Sequence, residues 1–205
     1  KADVGVSMSL KGTDVAKEAS DMVLMDDNFS SIVNAIEEGR IIYDNIKKFV
    51  WYLLSSNFGE VLLIAAALLL GMPLPLLALQ ILWINLVTDG LPAIALSIDK
   101  PADNVMERKP RNPKESILHK TLLNILIVGV LMAAGSLFLF KDYSDLTKGR
   151  TVVFTTLVMF EMFNVLNARS EKESAFKKMF SNKYLILAII SSILLQLAVI
   201  YTPLN

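Results

Sequence analysis

Five long apolar stretches occupy most of this chain, and they constrain its fold more than any other feature. A hydrocarbon layer of about 30 Å takes roughly 20 apolar residues per crossing helix, with a working range of about 17 to 25. Val50 to Gly71, Leu76 to Ile98, Thr121 to Phe140, Val152 to Ala168 and Tyr184 to Tyr201 meet that length, the fourth only narrowly and the first two interrupted by polar residues. One such run would read as a buried core helix. Five leave too little polar chain to cover them as a soluble core. The residues therefore predict a mainly α membrane protein, with five transmembrane helices in a bundle (50-71, 76-98, 121-140, 152-168, 184-201). A partial α/β cytoplasmic domain precedes them and runs into a long stalk helix. Composition agrees: 54% of the 205 residues are hydrophobic and 20% charged, against about 45 to 50% and about 25% in soluble domains. With no cysteine and a single histidine, His119, thiolate and imidazole metal sites are excluded, so any bound metal must be held by oxygen. Twenty basic and twenty acidic residues cancel, which gives no sign of nucleic-acid binding.

Charge in the connections sets the expected orientation, because short loops rich in Lys and Arg stay cytoplasmic. Arg40, Lys47 and Lys48 precede the first span, and the hairpin Met72 to Pro75 is uncharged. Lys100, Arg108, Lys109, Arg111, Lys114 and Lys120 follow the second span, and Arg169, Lys172, Lys177, Lys178 and Lys183 follow the fourth, so both connections are expected inside. The loop Lys141 to Arg150, partly balanced by Asp142 and Asp145, is expected outside.

The first 48 residues contain no long apolar run and no signal segment. Strand-like runs at Val4 to Met8 and Met22 to Met25 flank a helix-like stretch from Thr13 to Ala19, a piece of α/β domain expected to continue upstream of Lys1. A second helix, with Asp26, Asp27, Asn28 and Ser30 as N-cap candidates, has Ile32, Ala35, Ile36, Ile42 and Ile46 near helical spacing. No stop signal separates it from the first span, so one long helix is expected, with Gly39 tolerated inside it and capable of transmitting movement.

Three acids lie within the spans, where a carboxylate near the bilayer centre costs about 2.5 to 3.5 kcal/mol on insertion scales. Glu60 shares a helix face with Asn57, about 60° away. Asp89 shares an arc of about 100° with Asn85 and Thr88. Glu161 is followed by Asn164, and the third and fifth spans, free of charge, are expected to serve packing and lipid contact. Gly90 and Pro92 directly after Asp89 predict a broken helix with freed carbonyls. Asn57, Asn164 and Thr88 read equally as interhelical hydrogen-bonding glue. The three acids do not, because no Lys or Arg lies mid-span to balance them; protons or a cation must. Carboxylate, amide, hydroxyl and backbone oxygens suit Ca²⁺, while Na⁺ or H⁺ coupled to another solute remain compatible.

The residues also resemble a family. Lys1-Ala-Asp-Val-Gly-Val-Ser-Met, Ala19-Ser-Asp-Met-Val-Leu-Met-Asp-Asp-Asn-Phe-Ser-Ser-Ile-Val and Glu37-Glu-Gly-Arg are similar to the end of the phosphorylation domain and the stalk of P-type ATPases. Ser55-Ser-Asn-Phe-Gly-Glu, Leu82-Trp-Ile-Asn-Leu-Val-Thr-Asp-Gly-Leu-Pro-Ala and Phe160-Glu-Met-Phe-Asn resemble membrane helices five, six and eight of sarco/endoplasmic reticulum type calcium pumps. Met106-Glu-Arg-Lys-Pro-Arg-Asn-Pro-Lys-Glu resembles their loop between helices six and seven, with Lys109 in place of the usual proline. The resemblance implies a C-terminal fragment of the phosphorylation domain (1-30), a stalk helix (31-49) and a transport domain (50-205) comprising helices five to nine.

It further implies that Asn57, Glu60, Asn85, Thr88, Asp89 and Glu161 bind the transported Ca²⁺, in a pattern with Glu60 and Glu161 together that matches two-calcium pumps. Protons would travel the other way. The phosphorylated aspartate, the nucleotide and actuator domains, with their ATP and Mg²⁺, and helices one to four and ten would lie outside this chain, which alone would not hydrolyse ATP. Those parts and the lipid bilayer are the expected partners. The short loop Lys141 to Arg150 favours a prokaryotic plasma membrane over an endoplasmic-reticulum-type one. A different class of reading is a non-enzymatic cation-binding module, or half of an ion-coupled secondary carrier, with Mn²⁺ as the other candidate ion.

Overall fold

A computed structural model describes residues 3–101, 105–112, 121–169 and 181–202. His119, Lys114, Lys120, Lys172, Lys177, Lys178 and both chain ends, each used in the sequence reading, lie outside the described residues. The chain divides into two compact units, residues 1–43 with 101–109, and residues 44–100 with 110–205.

In the first unit, β1 (Val6–Met8) and β2 (Met22–Leu24) pair in parallel, joined by α1 (Asp14–Glu18), whose N-cap Thr13 accepts from the Ala16 amide. The next helix, α2, runs from Ser30 to Leu69. Its start is organised by Asn28, whose side-chain oxygen accepts from the Ser30 amide, and by Asp26, which accepts from the Asn28 amide and the Ser31 hydroxyl. Asp27 has a different task. At φ 51° its carboxylate accepts from the Leu10 and Lys11 amides, 2.8 and 2.9 Å, closing the turn after β1. Arg40 donates to the carbonyls of Val105, Met106 and Arg108 and so holds the 3₁₀ turn Val105–Glu107.

The second unit is helical. After α2 come α3 (Ala78–Trp83), a π-helical turn (Ile84–Thr88) and α4 (Gly90–Ser97), which together form one 20-residue apolar element. Then follow α5 (Leu122–Phe140), α6 (Leu146–Ala168) and α7 (Lys183–Tyr201). Among the described residues, five helices are thus long and apolar enough to cross a membrane. Their exposed surfaces are rich in Leu, Ile, Val and Phe, as lipid-facing surfaces are.

The helix that carries the fourth apolar run starts upstream of Val152, at Leu146, because Asp145 caps it by accepting from the Thr147 and Lys148 amides; the charged and glycine residues 148–150 form its first turns. Arg150 then donates to the Leu74 carbonyl, tying α6 to the hairpin after α2. The second span is not broken at Gly90 and Pro92. The Asp89 amide reaches back five residues to the Ile84 carbonyl at 2.8 Å, and α4 restarts at Gly90. Pro92 then falls in the first turn of a helix, where its missing N–H costs little.

α6 is the most deeply embedded of the spans, with Val153, Leu157, Val158, Glu161 and Val165 wholly buried. α2 meets α5 closely: a Cβ on Gly129 would overlap the Phe58 ring and lie 3.1 Å from the Gly59 amide nitrogen. Gly129→Ala is therefore expected to overpack this contact by about 1 to 3 kcal/mol. Gly39→Ala, where nothing lies within 4 Å, should instead be neutral or stabilising, by up to about 1 kcal/mol. Thermal unfolding in detergent checks the opposite signs.

Below the last turn of α4, Asp99 is buried and accepts from Lys48 and Arg169. Burial pushes its carboxyl up, and the hydrogen bonds and charges of Lys48 and Arg169 more than reverse this, holding it below the usual range. Its stabilising contribution is thus fully present above the unfolded value near pH 4 and is lost as pH falls through the lower folded value. The thermal midpoint should drop on acidification below about pH 4, and drop less in Lys48→Met, whose Asp99 is less depressed.

Candidate cation site

Helical spacing on α2 puts Asn45, Tyr52, Ser55, Ser56, Gly59, Glu60, Leu63 and Ala67 on one buried stripe. Glu60 faces the bundle from it, 4% exposed. Asp89 follows the π-helical turn and Glu161 projects from α6, both 0% exposed. The three come together: each offers a carboxylate oxygen, and these oxygens all lie within 4.8 Å of one another. Two full charges at that distance repel by about 3 kcal/mol at an effective dielectric constant near 20. Among the described residues no Lys, Arg or His pairs with any of them.

Neutral donors reach only part of the cluster. The Tyr52 hydroxyl donates to Asp89 Oδ1 at 2.6 Å, and Asn85 Nδ2 donates to Glu60 Oε2 at 2.8 Å. Glu60 Oε1, Asp89 Oδ2, both Glu161 carboxylate oxygens and Asn164 Oδ1 are buried without a hydrogen-bond partner among the described residues. Buried polar groups are rarely left so. A cluster of unsatisfied acceptors, every one an oxygen, is what a hard cation or a set of protons would satisfy.

The other expected site residues divide. Asn85 joins the cluster through Glu60. Thr88 is buried beside Asp89, its hydroxyl donating to the Ile84 carbonyl at 3.0 Å, while Asn57 donates to the Leu53 carbonyl of its own helix at 2.8 Å. Asn164 ties α6 to α2 by donating to Ser55 Oγ at 2.7 Å, the glue role, while its carbonyl oxygen stays unpartnered. The π-helical turn widens the backbone just before Asp89, and such turns often mark functional positions.

Sequence reasoning passed over Tyr52, the side chain that donates to Asp89 among the described residues. Its position one and two turns before Ser56 and Glu60 was the available signal. It also passed over Gln196 of α7, which is wholly buried and accepts from Trp83 Nε1 at 3.0 Å, a polar contact within the packing expected of that uncharged helix.

A family model described as "Cation transporting ATPase, C-terminus" matches residues 73–205. The chain belongs to this cation-transporting ATPase family. Among its relatives, the calcium-transporting ATPase of Bacillus subtilis is 50% identical over 209 residues, covering 99% of this chain and 24% of the relative. The human calcium-transporting ATPase type 2C member 1 is 45% identical over 208 residues, 98% of this chain and 23% of the relative. A calcium-transporting ATPase of Plasmodium falciparum is 40% identical, covering 98% of this chain and 20% of the relative. This cation-transporting ATPase chain therefore spans between a fifth and a quarter of the curated relatives it matches. It is an integral, multi-pass membrane protein.

Within this member of the cation-transporting ATPases, Tyr52→Phe should leave Asp89 Oδ1 without a donor and lower the cation-free thermal midpoint, at a cost of about 1 to 3 kcal/mol. Tyr184→Phe, on an exposed ring, should stay within about 0.5 kcal/mol of the parent in the same melt.

Proposed function

We propose that this chain is the ion-binding transmembrane portion of an ATP-driven Ca²⁺ pump of the P type, moving Ca²⁺ out of the cytoplasm with protons returning. The observation that carries the reading is the buried trio Glu60, Asp89 and Glu161, with oxygens that find no partner among the described residues. Membership of the cation-transporting ATPase family, and relatives described as calcium-transporting, support the choice of ion.

In this reading Asn57, Glu60, Asn85, Thr88, Asp89 and Glu161 are the ligands. Ca²⁺ takes 6 to 8 oxygens, which these six residues come near to supplying for one ion; in the two-ion pattern, helices outside this chain would supply the rest. Binding of the divalent ion cancels most of the mutual repulsion of the trio; when the ion leaves, protons must take its place, because three bare carboxylates would not remain buried together. That exchange is the physical basis of counter-transport. Asn85 orients Glu60, and Tyr52 orients Asp89, through hydrogen bonds donated to the oxygen of each carboxylate that is not left bare. ATP, Mg²⁺ and the phosphorylated aspartate belong to the parts of the pump outside this chain. The continuous α2, which carries Glu60, is the element through which those parts would move the site.

The full-length protein tests this directly. Glu60→Gln, Asp89→Asn and Glu161→Gln should each abolish or sharply weaken Ca²⁺-dependent phosphorylation from ATP, whereas Asn124→Ala, on an exposed face of α5, should not. Equal Ca²⁺ dependence in all four variants would remove the ligand assignment.

A further inference from the structure

We infer that Asp99 is a positioning residue for the cation site, a single buried carboxylate that sets the mutual register of the three helices carrying Glu60, Asp89 and Glu161. The inference rests on the cation-site reading above and adds to it a residue outside the ligand set.

Asp99 is 4% exposed, two residues past the end of α4. Its Oδ2 accepts from Lys48 Nζ of α2 at 2.9 Å and from Arg169 Nε, at the C-cap of α6, at 3.3 Å. Its Oδ1 accepts from Arg169 Nη2 at 3.2 Å and from Asn182 Nδ2, at the N-cap of α7, at 2.9 Å. Its backbone carbonyl accepts from Asn45 Nδ2 of α2 at 2.8 Å. One residue thus accepts from groups on every other helix that carries a cage acid. The side chains of Lys48 and Arg169 are only 13% and 12% exposed, so this is not a solvent-screened surface pair.

The spacing makes the knot mechanically relevant. At 1.5 Å per residue, Lys48 lies about 18 Å along α2 from Glu60, Asp99 about 15 Å from Asp89, and Arg169 about 12 Å along α6 from Glu161. The same three helices are therefore joined twice, once by the site and once by Asp99. A slip of one residue in any of them would shift its acid by about 1.5 Å and turn it by about 100°. Carboxylates that must share one ion do not tolerate that. Asp99 touches no cage atom, and acts by fixing where the helices that bear the cage can sit.

A bland reading, an ion pair that merely supports the fold, predicts lost stability with unchanged ion affinity. Equilibrium binding of radioactive Ca²⁺ to purified full-length protein in detergent separates the two, alongside cation-free thermal unfolding. Lys48→Met leaves Asp99 with Arg169 and Asn182. It should fold and yet bind Ca²⁺ about tenfold more weakly, within the range expected of a residue that couples to a site it does not touch. Lys48→Arg should restore binding to within about twofold, since charge and reach are kept. Asp99→Asn should weaken binding at least as much as Lys48→Met; should it not fold, the Lys48 pair of variants decides. Binding within about twofold of the parent in Lys48→Met, or a loss that Lys48→Arg does not restore, overturns the positioning role. Glu161→Gln separates the two levels of the argument. If it loses binding while Lys48→Met does not, only the Asp99 role falls. If it binds normally, the cation-site reading itself falls.

Discussion

Three carboxylates buried side by side, with no basic partner among the described residues, are the constraint on which the rest of this molecule depends. Burial of a lone carboxylate is costly, and neighbouring like charges compound that cost. Natural bundles avoid such an arrangement unless something of opposite charge resides there for part of the time. Glu60, Asp89 and Glu161 come from three different helices, so no local sequence preference brings them together. Only the packing of α2, the α3–α4 element and α6 does.

That packing is specific where it has to be. Gly59 and Gly129 allow α2 and α5 to approach to backbone contact, as small residues do in membrane bundles. The π-helical turn lets Pro92 sit in a first helical turn and delivers Asp89 to the cluster without interrupting the span. Asn164 and Ser55 join α6 to α2 within a few residues of the acids. Around the site and at Asp99, polar contacts join one span to another. In an apolar surrounding, directional hydrogen bonds contribute more to register than the featureless surfaces of Leu and Ile can.

Much of this was legible in the amino-acid sequence, for physical reasons. Span length and hydropathy follow from the thickness of a bilayer, and an acid in the middle of an apolar run is conspicuous because it costs so much to place there. Glu60, Asp89, Glu161 and Asn85 were readable on that ground, as was the mainly α membrane fold. What escaped depends on relations between helices. Tyr52 looks like an ordinary interfacial aromatic until Asp89 is seen opposite it. Asp99 and Lys48 look like ordinary flanking charges, and only the burial of Asp99 and the partners it gathers mark them out. The π-helical turn was misread as a break because Gly and Pro say that a helix is disturbed but not how. The start of α6 lies outside what hydropathy can read, because it is set by the capping geometry of Asp145 and not by the apolar run that follows.

The central claim is that a divalent cation balances the three acids, and imaging that ion tests it most directly. Crystals of the full-length protein grown in Ca²⁺, or soaked in a heavier divalent substitute, would be compared in anomalous difference maps with crystals grown in a chelator. The account predicts a peak bounded by oxygens of Glu60, Asp89 and Glu161 that disappears with the chelator. No peak there, with the three carboxylates turned apart or paired to basic side chains of the remaining chain, would contradict it.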